Sequence, residues 1–101
     1  MSGAIVQQTV VITNPHGFHL RPLTAFAQKA AQFQCDVTVT RDGTSVNGKS
    51  AWDMMAMLSP PGAALIVQAQ GPDAPAALEE LVALINTPAG DESPQEMTSD
   101  Q

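Results

Sequence analysis

A single cysteine, Cys35, stands among the 101 residues, which rules out an internal disulfide and a cysteine cluster for zinc. It lies where a helix gives way to a strand, beside Phe33 and Val37, and is expected to be a small buried hydrophobe. Basic residues are scarce too: Arg21, Lys29, Arg41 and Lys49 are the whole set. Residues 1–86 set six acids against these four bases, a net of −2, and four more acids (Asp91, Glu92, Glu96, Asp100) follow in the last fifteen residues. Such a chain has no charge footprint for nucleic acid, whose binding rests on phosphate neutralisation. Any anion must therefore be held by local geometry. No apolar run nears the ~20 residues that span a bilayer, so membrane insertion is not expected. Met1 to Ala4 show no basic cluster leading into a hydrophobic stretch, so no export signal is visible and a cytoplasmic location is expected. Internal repeats, a paired-carboxylate cleft, a metal cluster and a nucleotide loop are all missing. An independent metabolic catalyst finds no support.

What is present reads as one small globular domain, with 44% apolar and 14% charged residues and a modest core. Ile5 to Thr13, rich in Val, Ile and Thr, predicts a first strand. Asn14-Pro15-His16-Gly17 supplies turn formers in series. From Leu20 the period changes: Leu23, Phe26, Ala27 and Ala30 recur at helical spacing. Pro22 is tolerated only in a first turn, which puts the helix start at His19 or Leu20.

Cys35 to Thr40 alternates as a second strand, and Asp42-Gly43 is a turn pair that returns Thr44 to Asn47 as a hairpin partner. Ser50 to Leu58 predicts a short helix with Ser50 as cap and Asp53 in the first turn, ended by Pro60-Pro61-Gly62. Ala63 to Gln70 predicts another strand. Asp73 can cap a last helix, with Pro75 in its first turn and Leu78, Leu81, Val82 and Ile85 on one face. The order β-α-β-β-α-β-α fits a two-layer α+β domain, three helices covering one side of a four-stranded sheet. The domain is expected to fill residues 1–86. Residues 87–101, acidic and rich in Pro and Ser, predict a disordered tail or an interdomain linker.

The most informative segment is Asn14-Pro15-His16-Gly17-Phe18-His19-Leu20-Arg21-Pro22. A strand enters a glycine-containing turn, and the turn enters a helix that begins at a histidine. The first amides of a helix lack internal partners and meet an anion at the helix's positive end. Arg21 adds a fork of donors suited to phosphoryl oxygens, and imidazole is a competent nucleophile that titrates near neutrality. A phosphate or other anion site is one reading; an ordinary surface His–Arg pair is the other. His16 and His19 lack a third ligand nearby, so no metal site is expected.

The segment resembles the active-site region of HPr, the histidine-containing phosphocarrier family of the bacterial phosphoenolpyruvate-dependent sugar phosphotransferase system. The family's pattern of Gly, a hydrophobe, His, any residue, Arg and Pro appears as Gly17, Phe18, His19, Leu20, Arg21 and Pro22, and its second signature as Gly48-Lys49-Ser50. The resemblance covers roughly residues 5–86. It implies an HPr-like open-faced sandwich with an antiparallel sheet, a phosphoryl group on Nδ1 of His19 against the helix amides, and Arg21 close by. Gly17, Leu20 and Arg21 would border the phosphate. No cofactor is implied. The donor would be phosphorylated enzyme I and the acceptors sugar-specific enzyme IIA domains, with the carrier a monomer.

His16 takes a turn position where that family more usually has a small polar residue. It is either a plain solvent-facing turn residue or one that tunes His19 or contacts the phosphoryl group. Ser50 to Leu58 holds more large apolar residues than one short buried face can hide. Trp52, with Ala51, Met55 and Phe18, is therefore expected to form the docking surface for partners. Asp53 and the shortage of bases depart from better-known carriers and imply a less charge-steered partner, or a tethered one. Ser50 is a helix cap and, by resemblance, a candidate regulatory phosphosite for an HPr kinase. Two alternatives stay open: a regulatory HPr-like protein that binds signalling partners such as a transcriptional regulator, and the carrier domain of a fused multiphosphoryl transfer protein.

Overall fold

The computed structural model describes residues 5–86; the tail or linker expected over 87–101 falls outside the described residues. Strand β1 (Ile5–Val11), helix α1 (Leu20–Ala30), strands β2 (Asp36–Arg41) and β3 (Thr44–Asn47), helix α2 (Ala51–Met54), strand β4 (Ala64–Gln70) and helix α3 (Ala74–Asn86) follow in that order. The order is the one the periodicities predict. Helix α2 is shorter than expected and runs into a 3-10 turn over Met55–Met57.

The four strands form one antiparallel sheet in the order β1-β4-β2-β3. Val10 faces Leu65, while Val67 lies opposite Val39 and Ala69 opposite Val37. All six are buried. Their neighbours Thr9, Ile66 and Thr40 share the next row and point the other way, because side chains alternate along a strand. A one-residue slip would turn the whole apolar set to solvent, and this fixes the register.

Helix α1 lays Leu23, Phe26, Ala27 and Ala30 on the inner face, and α3 lays Ala74, Ala77, Leu81 and Ile85 there. Burying a side chain such as Leu23 or Leu81 completely stabilises the fold by roughly 1.5–3 kcal/mol. Asp42 and Gly43 turn the β2–β3 hairpin with φ of 51° and 84°. Two successive positive φ values match the twist of the strands they join.

Strand β1 ends at Val11, two residues before the predicted limit. Ile12 continues the line only through its bonds with Ala63 and Gly62, each 2.8 Å, and the chain then swings into the turn. The carboxylate of Asp73 accepts the backbone N–H of Gln34 at 2.8 Å, tying the start of α3 to the α1–β2 connection.

Candidate functional site

The loop between β1 and α1 is held at three places. Asn14, buried, accepts the N–H of His16 on its Oδ1 at 3.0 Å and the N–H of Gly17 on its carbonyl at 2.8 Å. Gly17 has φ of 74°, and a Cβ there would collide with the carbonyl oxygen of Ser59. Only glycine meets both demands. Phe18 then makes a reciprocal bridge with Ser59, the two N–H···O bonds measuring 2.8 and 3.0 Å. Its ring meets Phe26 edge-on, with centroids 6.3 Å apart.

His19 leaves this bridge in extended conformation as the N-cap of α1. Its carbonyl accepts from Leu23 at 3.1 Å, but its side chain makes no capping bond. The first turn of α1 holds no acid, so no carboxylate of that turn competes for an anion at its amides. Nδ1 of His19 is buried to less than 1 Å² of accessible surface and has no hydrogen-bond partner, alone in this among buried side-chain nitrogens and oxygens of the described residues. Buried polar atoms are rarely left so. With that little surface, Nδ1 meets an incoming electrophile only when the ring turns or its surroundings shift.

The ring of His16 lies nearly parallel to that of His19, with centroids 6.0 Å apart and planes at 27°. Arg21 and Leu20 occupy the exposed first turn. The loop and the helix start thus bring His16, Gly17, His19, Leu20 and Arg21 to one place.

The second signature is structural at each residue. Gly48 has no room for a side chain beside Val37 and Phe26. Lys49 donates from Nζ to the carbonyl of Phe33 at 2.9 Å. Ser50 accepts the N–H of Asp53 on Oγ at 3.1 Å, capping α2.

The apolar surface needs one correction. Phe18, expected in the docking surface, is 2% exposed, because its bridge to Ser59 turns the ring into the core. Trp52, at 82% exposed, leads the surface, with Met55 and Ala51 also outside. Leu20 and Leu58 are exposed as well, and α1 packs beside α2. Leu58 was not anticipated, and Leu20 was expected at the phosphate and not in the apolar surface. The surplus of apolar residues over 51–58 was a signal for Leu58, whereas Leu20 sits at the spacing of the buried stripe and gave none. Asn14 and Ser59, which hold the loop, were also missed as site residues; Ser59 carries no mark in the sequence. Cys35 lies elsewhere, buried beyond the far end of α1. Burial pushes its thiol up, with Asp73 and Asp36 adding to the effect and Lys49 opposing it.

Comparison with known proteins gives a consistent picture. The family model described as the PTS HPr component phosphorylation site matches residues 6–87. The phosphocarrier protein HPr of Vibrio cholerae is 36% identical over 80 residues, 79% of this chain and 94% of that protein. A crystal structure of phosphocarrier HPr from Bacillus anthracis aligns with a TM-score of 0.75 at 34% identity, covering 80% of this chain and 96% of that one. The catabolite-repression protein Crh of Bacillus subtilis, solved as a dimer with a swapped domain, aligns with a TM-score of 0.63 at 36% identity over 89% of this chain and 99% of its own.

Proposed function

The chain belongs to the HPr family of phosphocarriers of the phosphotransferase system, and on that premise we propose that Nδ1 of His19 is the atom that carries the phosphoryl group. The observation supporting this reading is the buried nitrogen without a partner, on a ring set at the start of a helix with an acid-free first turn. Once the ring turns to expose it, the lone pair of Nδ1 attacks phosphorus while the bond to the donor breaks and its electron pair leaves with the donor. Nε2 keeps its proton. The product is held by the amides of the first turn, that of Leu20 among them, and by the Arg21 guanidinium, through charge-assisted bonds. Gly17, whose φ of 74° leaves no room for a side chain against Ser59, sets the turn that delivers His19 to the helix start. Transfer onward reverses the step.

The proposed donor is phosphorylated enzyme I and the acceptors are enzyme IIA domains. Both would dock on the apolar surface of Trp52, Met55 and Ala51, which continues onto Leu20 and Leu58. We propose residues 1–86 as the carrier domain, acting as a monomer, with 87–101 as a tail or linker outside it. No helix among the described residues is long and apolar enough to cross a membrane, in keeping with the cytoplasmic location proposed here.

Transfer of labelled phosphate from phosphoenolpyruvate through cognate enzyme I tests the reading. The wild type takes up one acid-labile label and His19→Ala takes up none; a label persisting in His19→Ala would overturn the assignment. A second reading is a regulatory role like that of Crh, which the capped, solvent-facing α2 surface next to Ser50 also suits. It is separated from the first by whether the labelled protein passes its phosphoryl group to a IIA domain. Sedimentation distinguishes the monomer from a dimer of the kind described for Crh.

A further inference from the structure

The mechanism above leaves one titratable side chain of the loop unused. His16 is exposed, its backbone N–H is tied to Asn14 Oδ1, and its ring is stacked on that of His19 with centroids 6.0 Å apart. We infer that His16 is a second working ring of the site: it positions His19 by stacking and, when protonated, pairs electrostatically with the phosphoryl group, making phosphoryl retention pH-dependent. The inference rests on His19 being the residue that is phosphorylated.

The argument begins with charge. A phosphoryl group on His19 brings close to two negative charges into the loop at neutral pH. Imidazole is the side chain whose charge changes between pH 5 and 8, and a dianion a few ångströms away favours its charged form. By linkage the effect is reciprocal: whatever phosphorylation does to proton binding at His16, protonation of His16 does to phosphorylation.

The surroundings favour a specific effect of His16. His19 is the one other titratable group of residues 12–19, and residues 59–63, bonded to the loop, carry no titratable side chain. Helix α1 presents Arg21 in its first turn and Lys29 in its last. On the neighbouring elements the charged groups are Asp53 of α2, Arg41, which donates to the carbonyl of Leu58 at 3.2 Å, and Glu79 and Glu80 of α3, Glu80 pairing with Lys29 at 3.4 Å. The permanent cation of the first turn is Arg21; His16 adds one that pH can remove.

The test uses the full chain phosphorylated with phosphoramidate, a small donor that needs no partner protein. Nδ1 bonds to phosphorus as the phosphorus–nitrogen bond of phosphoramidate breaks and ammonia departs with the electron pair. Ring resonances of His16, followed by ¹⁵N NMR from pH 5 to 9, should show their titration midpoint moving up by roughly half a unit or more on phosphorylation. Correspondingly, the equilibrium constant for phosphorylation should fall about threefold to tenfold more in the wild type than in His16→Phe as pH rises across that midpoint. The phenylalanine keeps a stacked ring and removes the proton. An unmoved His16 midpoint, or equal pH profiles for wild type and His16→Phe, would overturn the inference with the His19 assignment standing. Phosphorylation of a His19→Ala protein by phosphoenolpyruvate and enzyme I would instead bring down the reading beneath it.

Discussion

At the scale of the residue, position and chemistry are separable, and substitutions should separate them. Arg21 lies exposed in the first turn of α1. Arg21→Ala should therefore slow phosphotransfer far more than it lowers stability. Loss of one charge-assisted bond to phosphate, about 1.5–3 kcal/mol, corresponds to a rate lower by roughly tenfold to a hundredfold. Stopped transfer assays alongside thermal melts check this; a lower melting temperature with unchanged transfer would make Arg21 structural. Gly17 is the reverse case. Gly17→Ala strains a residue with φ of 74° by about 1–3 kcal/mol and pushes the carbonyl of Ser59 away. Melting temperature and transfer rate should fall together. The placement of His19, Arg21 and Gly17 around the start of α1 was legible because the motif is contiguous. Phe18 was misread for the opposite reason: its burial is decided by Ser59, forty-one residues further on, and no local pattern announces that pairing.

At the scale of the element, α2 joins a cap to a surface. The residue count over 51–58 showed that some large apolar side chains had to stay outside, and the structure leaves Trp52 at 82% exposure while Met54 and Met57 are buried. Trp52→Ala should weaken binding to enzyme I on the order of tenfold to a hundredfold with the melting temperature nearly unchanged, as read by calorimetric titration. Full retention of affinity would move the docking surface elsewhere. Ser50→Asp keeps a side-chain acceptor at the cap and adds a negative charge two residues from Trp52. It should leave the helix folded and slow phosphorylation by a donor that docks with an acidic face; equal rates would leave Ser50 a cap alone. The boundaries of α2 were harder to foresee than its existence. Its last turn tightens to 3-10 geometry, with Met57 buried there.

At the scale of the whole molecule, element order and the one-sided helix layer were legible from two periodicities, while the strand order β1-β4-β2-β3 lies in contacts between distant segments. Stability also carries a global pH signature through Cys35. Burial holds its thiol proton to higher pH than in the unfolded chain. The stabilisation is complete below the ordinary thiol value of 9.0 and is lost progressively above it, as the unfolded thiol ionises and the folded one does not. Urea midpoints of wild type and Cys35→Ala should diverge between pH 8 and 10, the wild type falling more steeply; parallel curves would remove Cys35 as the cause.

The Phe18–Ser59 bridge has a consequence for the order in which the molecule comes into being. During synthesis from the N-terminus, His19 is made early, yet the carbonyl and N–H that lock its neighbour in place arrive only with Ser59, and the strand that pairs with β1 only with Ala64–Gln70. A chain still being made, or cleaved before β4, carries the nucleophile without its setting. On the proposed assignment, competence to receive a phosphoryl group would wait for the segment that carries Ser59 and β4, so a truncated chain ending before Ser59 should take up no label from enzyme I.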